Sequence, residues 1–249
     1  MKRLCRSLLL LSIAFGPAFG QQFPNVRVSL ASSTSPEEVT IAVNPTDPLN
    51  LIAGANIRFN YYSTNGGYNW TQGQLPSGTW GDPCLIFDRL GNAYYAHLST
   101  PQGGYFIERL IVHRSSNGGR TWYDSADVGY RPPKQQDKEW LIADMTNSPY
   151  RDNIYMTWTE FDSYGSSNPA DSSRILFSRS TDQGSSWSSP ITISDRSGDC
   201  VDEDTTVEGA VPAVGPNGHI YTCWSGPLGL MFDKSTDGGL TWGTDVFVS

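Results

Sequence analysis

Ser63-Thr64-Asn65-Gly66-Gly67-Tyr68-Asn69-Trp70 is the stretch on which the fold turns, because the chain writes it again three times. It returns as Ser115-Ser116-Asn117-Gly118-Gly119-Arg120-Thr121-Trp122, as Ser180-Thr181-Asp182-Gln183-Gly184-Ser185-Ser186-Trp187, and as Ser235-Thr236-Asp237-Gly238-Gly239-Leu240-Thr241-Trp242. The shared form is S-[ST]-[DN]-x-G-x-[NST]-W. Its starts stand 52, 65 and 55 residues apart, the length of one four-stranded sheet with its loops. Each copy has the chemistry of a tight hairpin. Asn65, Asn117, Asp182 and Asp237 accept hydrogen bonds from nearby backbone amides, glycine supplies positive φ, and Trp70, Trp122, Trp187 and Trp242 pack under the turn. An amide in two of the four copies suits a backbone-bonding role and would damage a catalytic one, so these residues are read as structural.

Outward from each box, two apolar segments precede it: 39–43 and 51–55, 85–87 and 93–98, 140–143 and 154–159, 210–214 and 219–224. Turn residues such as Asn44-Pro45 and Gly215-Pro216-Asn217-Gly218 separate them. With the strands flanking each box, this makes four strands per unit and four units, at about 36–78, 79–133, 134–197 and 205–249. The expectation is an all-β chain, a β-propeller of four-stranded antiparallel blades with four blades visible. Twenty-five glycines, 16 prolines and only four methionines in 249 residues fit short strands and tight turns and argue against an all-helical protein.

Residues 1–20 read as a secretory signal peptide: Lys2, Arg3 and Arg6, an apolar run through Leu8 to Leu11, and Ala18-Phe19-Gly20 as the cleavage pattern. The apolar run is broken by Gly16 and Pro17, too early for a transmembrane span. A secreted, periplasmic or cell-surface location is expected, with no membrane insertion after cleavage. The net charge of −8 becomes more negative when the leader goes, so nucleic acid is excluded as a partner. Cys84, Cys200 and Cys223 remain. Cys84 and Cys200 lie near segment entries where loops could join them in a disulfide, and Cys223 reads as a buried thiol. No histidine or cysteine spacing suggests zinc, and Asp199, Asp202, Glu203 and Asp204 lack the alternation of a calcium loop, so no metal and no cofactor is expected.

The four boxes resemble the Asp-box, or BNR, repeats of the sialidase superfamily, whose propellers usually have six blades. The segments Trp80 to Cys84, Asp137 to Trp140 and Val207 to Gly218 are similar to a branch of secreted bacterial sialidase-like proteins. The resemblance implies an incomplete six-bladed propeller acting on glycans, as an exo-α-sialidase if further blades supply an arginine and a tyrosine. It departs from the family in lacking the early arginine-isoleucine-proline motif; Arg58, in Asn56-Ile57-Arg58-Phe59, is the candidate substrate-binding arginine or else a strand-face charge.

An acid precedes each innermost strand: Glu37 and Glu38, Asp82, Asp137 and Glu139, and Glu208. In a propeller these entrances converge on one face. Glycoside hydrolysis needs a proton donor and a second group as base or nucleophile, and mutually repelling carboxyls in a channel can supply both. Asp82 is the candidate acid and Glu208 the candidate base, with Asp137 and Glu139 completing the ring. Lys138 would balance charge and Trp80 or Trp140 would stack on a sugar. The rival readings are that these acids cap turns, that the propeller binds carbohydrate without cleaving it, or that it binds another protein as an assembly factor. A monomer is expected.

Overall fold

The computed structural model describes residues 24–33, 36–76, 78–101, 104–201 and 203–248. The proposed leader, 1–20, lies outside the described residues, as does Asp202. Sixteen strands form four antiparallel meanders in chain order. The first sheet is β1 (Thr40–Val43), β2 (Leu51–Ala55), β3 (Phe59–Ser63) and β4 (Thr71–Gln74). The second is β5 (Thr79–Phe87), β6 (Ala93–Ser99), β7 (Arg109–Ser115) and β8 (Tyr123–Val128). The third is β9 (Gln135–Ala143), β10 (Ile154–Phe161), β11 (Ser173–Ser180) and β12 (Ile191–Thr192). The fourth is β13 (Glu208–Val214), β14 (Ile220–Gly226), β15 (Gly229–Ser235) and β16 (Val246–Phe247). Each box is the hairpin between the third and fourth strands of its sheet.

Burial patterns show how the sheets stack. Every residue of β6 and of β10 is buried, because the second and third sheets are covered on both faces. β1 alternates half-buried with exposed, and β14 alternates buried with half-buried or exposed, the mark of sheets covered on one face only. The cores agree. Ile52 of the first sheet packs with Leu85, Phe87 and Tyr95 of the second. Tyr94, Leu98 and Val112 of the second pack with Leu141, Met156 and Trp158 of the third. Tyr155, Ile175 and Phe177 of the third pack with Ile220, Trp224 and Met231 of the fourth. The first strands lie side by side in the order β1, β5, β9, β13. The outer faces of the end sheets stay apolar yet exposed, with Ile41 and Val43 on one and Val211 and Val246 on the other.

The boxes lock this stack. Within each, the Asn or Asp Oδ1 accepts from the amide four residues on, at 2.9, 3.1, 2.9 and 2.9 Å for Asn69, Thr121, Ser186 and Thr241. The box serine Oγ accepts from the amide of the glycine four residues on, Gly67, Gly119, Gly184 and Gly239, at 2.8–3.0 Å. Each later box also leans on the sheet before it. Asn50 Nδ2 donates to Gly118 O at 3.0 Å, Arg114 to Gln183 Oε1 at 2.7 Å, and Arg179 to Gly238 O at 2.8 Å. Asn50 is buried and also donates to Ser63 O, so its loss strands two carbonyls. Asn50→Ala is expected to cost about 1–3 kcal/mol in chemical denaturation.

The structure corrects the expected disulfide. Cys84 and Cys200 are free and buried. Cys84 belongs to the core between the second and third sheets, where its Sγ accepts from Leu141 N at 3.2 Å, while Cys200 sits in the loop after β12 with its carbonyl held by Gly165 N. Cys223 is half-buried instead of buried, because it faces outward from the uncovered side of β14.

Candidate functional site

The first strands begin earlier than the apolar pattern indicates, at Thr79, Gln135 and Glu208 instead of 85, 140 and 210, because each contains a bulge that breaks the alternation. The registers skip at one equivalent place. Gly81 pairs with Leu98 and then Cys84 with Ala96; Asp137 with Thr159 and then Trp140 with Thr157; Glu208 with Ser225 and then Val211 with Cys223. In the first sheet Asn56 N donates to Glu37 O at 2.9 Å and the next pair is Thr40 with Gly54. The skipped position is therefore Glu38, Asp82, Lys138 and Gly209, and all four have positive φ, 48°, 51°, 51° and 73°. Left-handed backbone costs a side-chain-bearing residue about 1–3 kcal/mol, and Gly209 alone of the four escapes it. Three charged residues hold this conformation at the same structural position, where a bulge turns their side chains toward one another.

They meet at a cavity of about 610 Å³ lined by Glu38, Asn56, Trp80, Asp82, Phe106, Asp137, Lys138, Tyr164 and Glu208 among others. Five of the candidate residues read from the sequence, Asp82, Asp137, Glu208, Lys138 and Trp80, thus face one space. Glu139 and Trp140 face a smaller adjoining pocket of about 150 Å³ that shares Glu38, Asp82 and Lys138 with the larger one. Arg58 lines neither; it sits in the turn between β2 and β3, where its carbonyl accepts from Leu75 N at 2.9 Å. Its neighbour Asn56 reaches the cavity instead.

Lys138 Nζ lies 2.9 Å from Asp82 Oδ2 and 3.4 Å from Glu38 Oε1. Asn56 bridges the same pair, its Nδ2 donating to Glu38 Oε2 at 2.5 Å and its Oδ1 accepting from Asp82 N at 2.9 Å. Lys138 and Asn56 thus hold the carboxyls of Asp82 and Glu38 side by side. Burial, and then the neighbouring Glu38 carboxyl, push Asp82 up to about 6 against the pull of Lys138. The Asp82 carboxyl is the largest influence holding Glu38 below its ordinary value, followed on that side by Asn56 and Lys138. Of the two, Asp82 is the one pushed toward its protonated form. Behind it Glu139 is only 2% exposed, with no hydrogen-bond partner for either carboxyl oxygen beyond its own backbone amide, and burial followed by the charge of Asp82 raises its pKa well above the usual range. Such an arrangement keeps one carboxyl protonated at mildly acidic pH beside an ionised neighbour, the condition for general acid catalysis.

Asn56, Phe106 and Tyr164 are site residues that the sequence reading did not select, and Glu38, named there among the acids preceding the first strands, was given no catalytic role. Glu38 was legible as the first-sheet counterpart of Asp82; Phe106 and Tyr164 come from loops outside the repeated pattern. Among the described residues no group of three or more His, Cys, Asp or Glu is arranged to hold a metal ion.

No protein-family model matches the chain, and no curated protein matches it. Solved structures do. A protein of unknown function from Dyadobacter fermentans DSM 18053 aligns with a TM-score of 0.58 at 16% identity, over 84% of this chain and 67% of its own. The intramolecular trans-sialidase from Ruminococcus gnavus aligns with a TM-score of 0.58 at 14% identity, over 84% of this chain and 70% of its own. The α-L-arabinanase of Penicillium chrysogenum aligns with a TM-score of 0.51 at 13% identity, over 81% of this chain and 60% of its own. The chain therefore has a distant structural link to several carbohydrate-active β-fold enzymes, and the likeness is one of fold.

Proposed function

We propose that the protein is a secreted glycoside hydrolase of sialidase-like build, with Asp82 as the proton donor. The observation that carries this reading is the Asp82–Glu38 carboxyl pair, held by Lys138 and Asn56 on the wall of an aromatic-flanked cavity. Asp82 gives its proton to the glycosidic oxygen as the bond to the anomeric carbon breaks, and Glu208, on the same cavity, takes the proton of the attacking water. The proton that Glu208 has taken passes to solvent and Asp82 takes one back from it, a return that the neighbouring Glu38 charge favours. Sialidase-type specificity would also require guanidinium groups on the cavity, and none of its described lining residues is an arginine. The reading is tested with a panel of aryl glycosides: turnover is expected to fall as pH rises through about 6, and Trp80→Ala is expected to raise KM by about tenfold with a smaller change in kcat. Saccharide binding without turnover of any glycoside would make the chain a carbohydrate-binding module.

The four sheets are, in the same proposal, successive blades of a propeller. Support comes from the side-by-side first strands and from the stepwise docking of each box on the preceding sheet. Lys234 stands at the register position in β15 that Arg114 and Arg179 hold in β7 and β11, each of which binds the next box. A further box-bearing sheet fits that uncovered face, as the outward apolar residues Val211 and Val246 also suggest.

A further inference from the structure

Resting on the glycoside-hydrolase reading above, we propose that the aromatic wall formed by Trp80, Phe106 and Tyr164 seats the departing sugar ring, so that the substrate is a chain of at least two sugar rings. The wall is assembled from three separate places in the chain: Trp80 from β5, Phe106 from the loop between β6 and β7, and Tyr164 from the loop between β10 and β11. Trp80 and Phe106 meet edge to face with centroids 5.2 Å apart, and Phe106 and Tyr164 with centroids 6.3 Å apart. Tyr164 in turn rests edge-on against the fully buried Phe161, at 5.0 Å. One side chain ties the two loops together: Gln135 Oε1 accepts from Tyr164 N at 2.6 Å, and its Nε2 donates to Phe106 O at 3.3 Å. Next to it, Gln136 N donates to Ile107 O at 2.8 Å. The rings are thus fixed before any ligand arrives, and yet Trp80 is 45% and Phe106 40% exposed. Aromatic surface left open inside a cavity, on a rigid support, is surface kept for a ligand.

The place of the wall relative to Asp82 decides which part of the ligand it takes. Trp80 stands two residues before Asp82 on β5, separated from it by Gly81, and both line the cavity. Glu208, assigned above to the attacking water, lies on β13, and β9 stands between β13 and β5. The glycosidic oxygen that Asp82 protonates joins two rings. The ring attacked at its anomeric carbon lies toward Glu208, which leaves the departing ring beside Trp80. A sugar ring carries apolar C–H groups on its face and hydroxyls at its edge, and an aromatic wall matches the face. The cavity, about 610 Å³, falls in the ~300–1,000 Å³ range of sites that enclose a drug-sized ligand, larger than one sugar ring. Covering roughly 60 Å² of apolar ring surface on such a wall raises affinity about tenfold.

The test is calorimetric titration of the full chain, carrying Asp82→Asn so that no glycoside is consumed, with three matched pairs of sugars. These are xylose and xylobiose, N-acetylglucosamine and chitobiose, and N-acetylneuraminic acid and sialyllactose. The longer member of at least one pair is expected to bind about tenfold or more tightly than its monosaccharide. Adding Phe106→Ala is expected to remove that gain and to change the affinity of the monosaccharide less than about twofold. Phe106→Tyr keeps the ring and is expected to keep the gain. Equal affinity within every pair that binds, a gain that survives Phe106→Ala, or one that Phe106→Tyr also loses overturns the subsite and leaves the carbohydrate reading standing. Binding of none of these sugars overturns both.

Discussion

At about pH 7.5, Asp82→Asn is expected to lose about 10²–10⁴-fold in glycoside turnover and yet to be more stable than the wild type, by about 1–2 kcal/mol. The sign follows from where Asp82 titrates. Its folded pKa, about 6, lies above the unfolded value of ~3.9, so the folded state binds the proton more tightly. Stability linked to this group is fully present below about pH 4 and is lost as pH rises through about 6. Asparagine cannot ionise, keeps the side-chain shape, and tolerates the left-handed backbone as well as aspartate does. The gain is discounted from the full two-unit shift because Asp82 opens onto the cavity. Denaturant titrations at the two pH values check it: the difference is expected to close by about pH 4. A variant less stable than wild type at both values would make Asp82 a structural member of the Lys138 ion pair and nothing more.

Gly239→Ala is expected to be among the most damaging single-methyl additions in the molecule, at about 3–5 kcal/mol. Two costs add. The position has φ +84°, which disfavours any side chain by about 1–2 kcal/mol, and a methyl there would overlap the ring of Phe177. Phe177 is core to the third and fourth sheets and is packed edge-on by Trp242, the tryptophan of the same box, so it has no free direction in which to move. Gly67, the same position in the first box, has φ +87°, but a methyl there would come no nearer than 3.8 Å to Trp70. Gly67→Ala is therefore expected to cost only the backbone share, about 1–2 kcal/mol. Thermal unfolding of the two variants measures the difference, which is the contribution of seating the fourth box on the third sheet. Equal losses would show that the boxes hold only their own hairpins.

The repeat made most of the fold legible. S-[ST]-[DN]-x-G-x-[NST]-W marks a hairpin by short-range chemistry, and four copies at sheet-length spacing locate all four sheets. What periodicity does not convey is the bulge. Glu38, Asp82 and Lys138 interrupt the alternation, so the first strands read as starting after the residues that matter. For the same reason the acids were recognisable as a recurring set, whereas their pairing across Lys138 and Asn56 was not. Arg58 looked attractive as a lone arginine near a strand, but a residue in a turn is aimed by its local backbone, and here that aim gives the cavity Asn56. Cys84 and Cys200 were plausible partners by loop position; the sheet stack buries Cys84 between the second and third sheets, where its Sγ accepts from Leu141 N, and leaves Cys200 in the loop after β12.

The central claim is that Asp82 carries a proton poised by Glu38 and delivers it to a glycosidic oxygen. Its most direct test is the pH dependence of glycoside turnover in the wild type and in Glu38→Gln. The account predicts a loss of rate centred near pH 6 in the wild type, moved to lower pH when Glu38 no longer bears the charge that holds the proton on Asp82. A limb that stays in place in Glu38→Gln, or turnover that Asp82→Asn leaves intact, would contradict it.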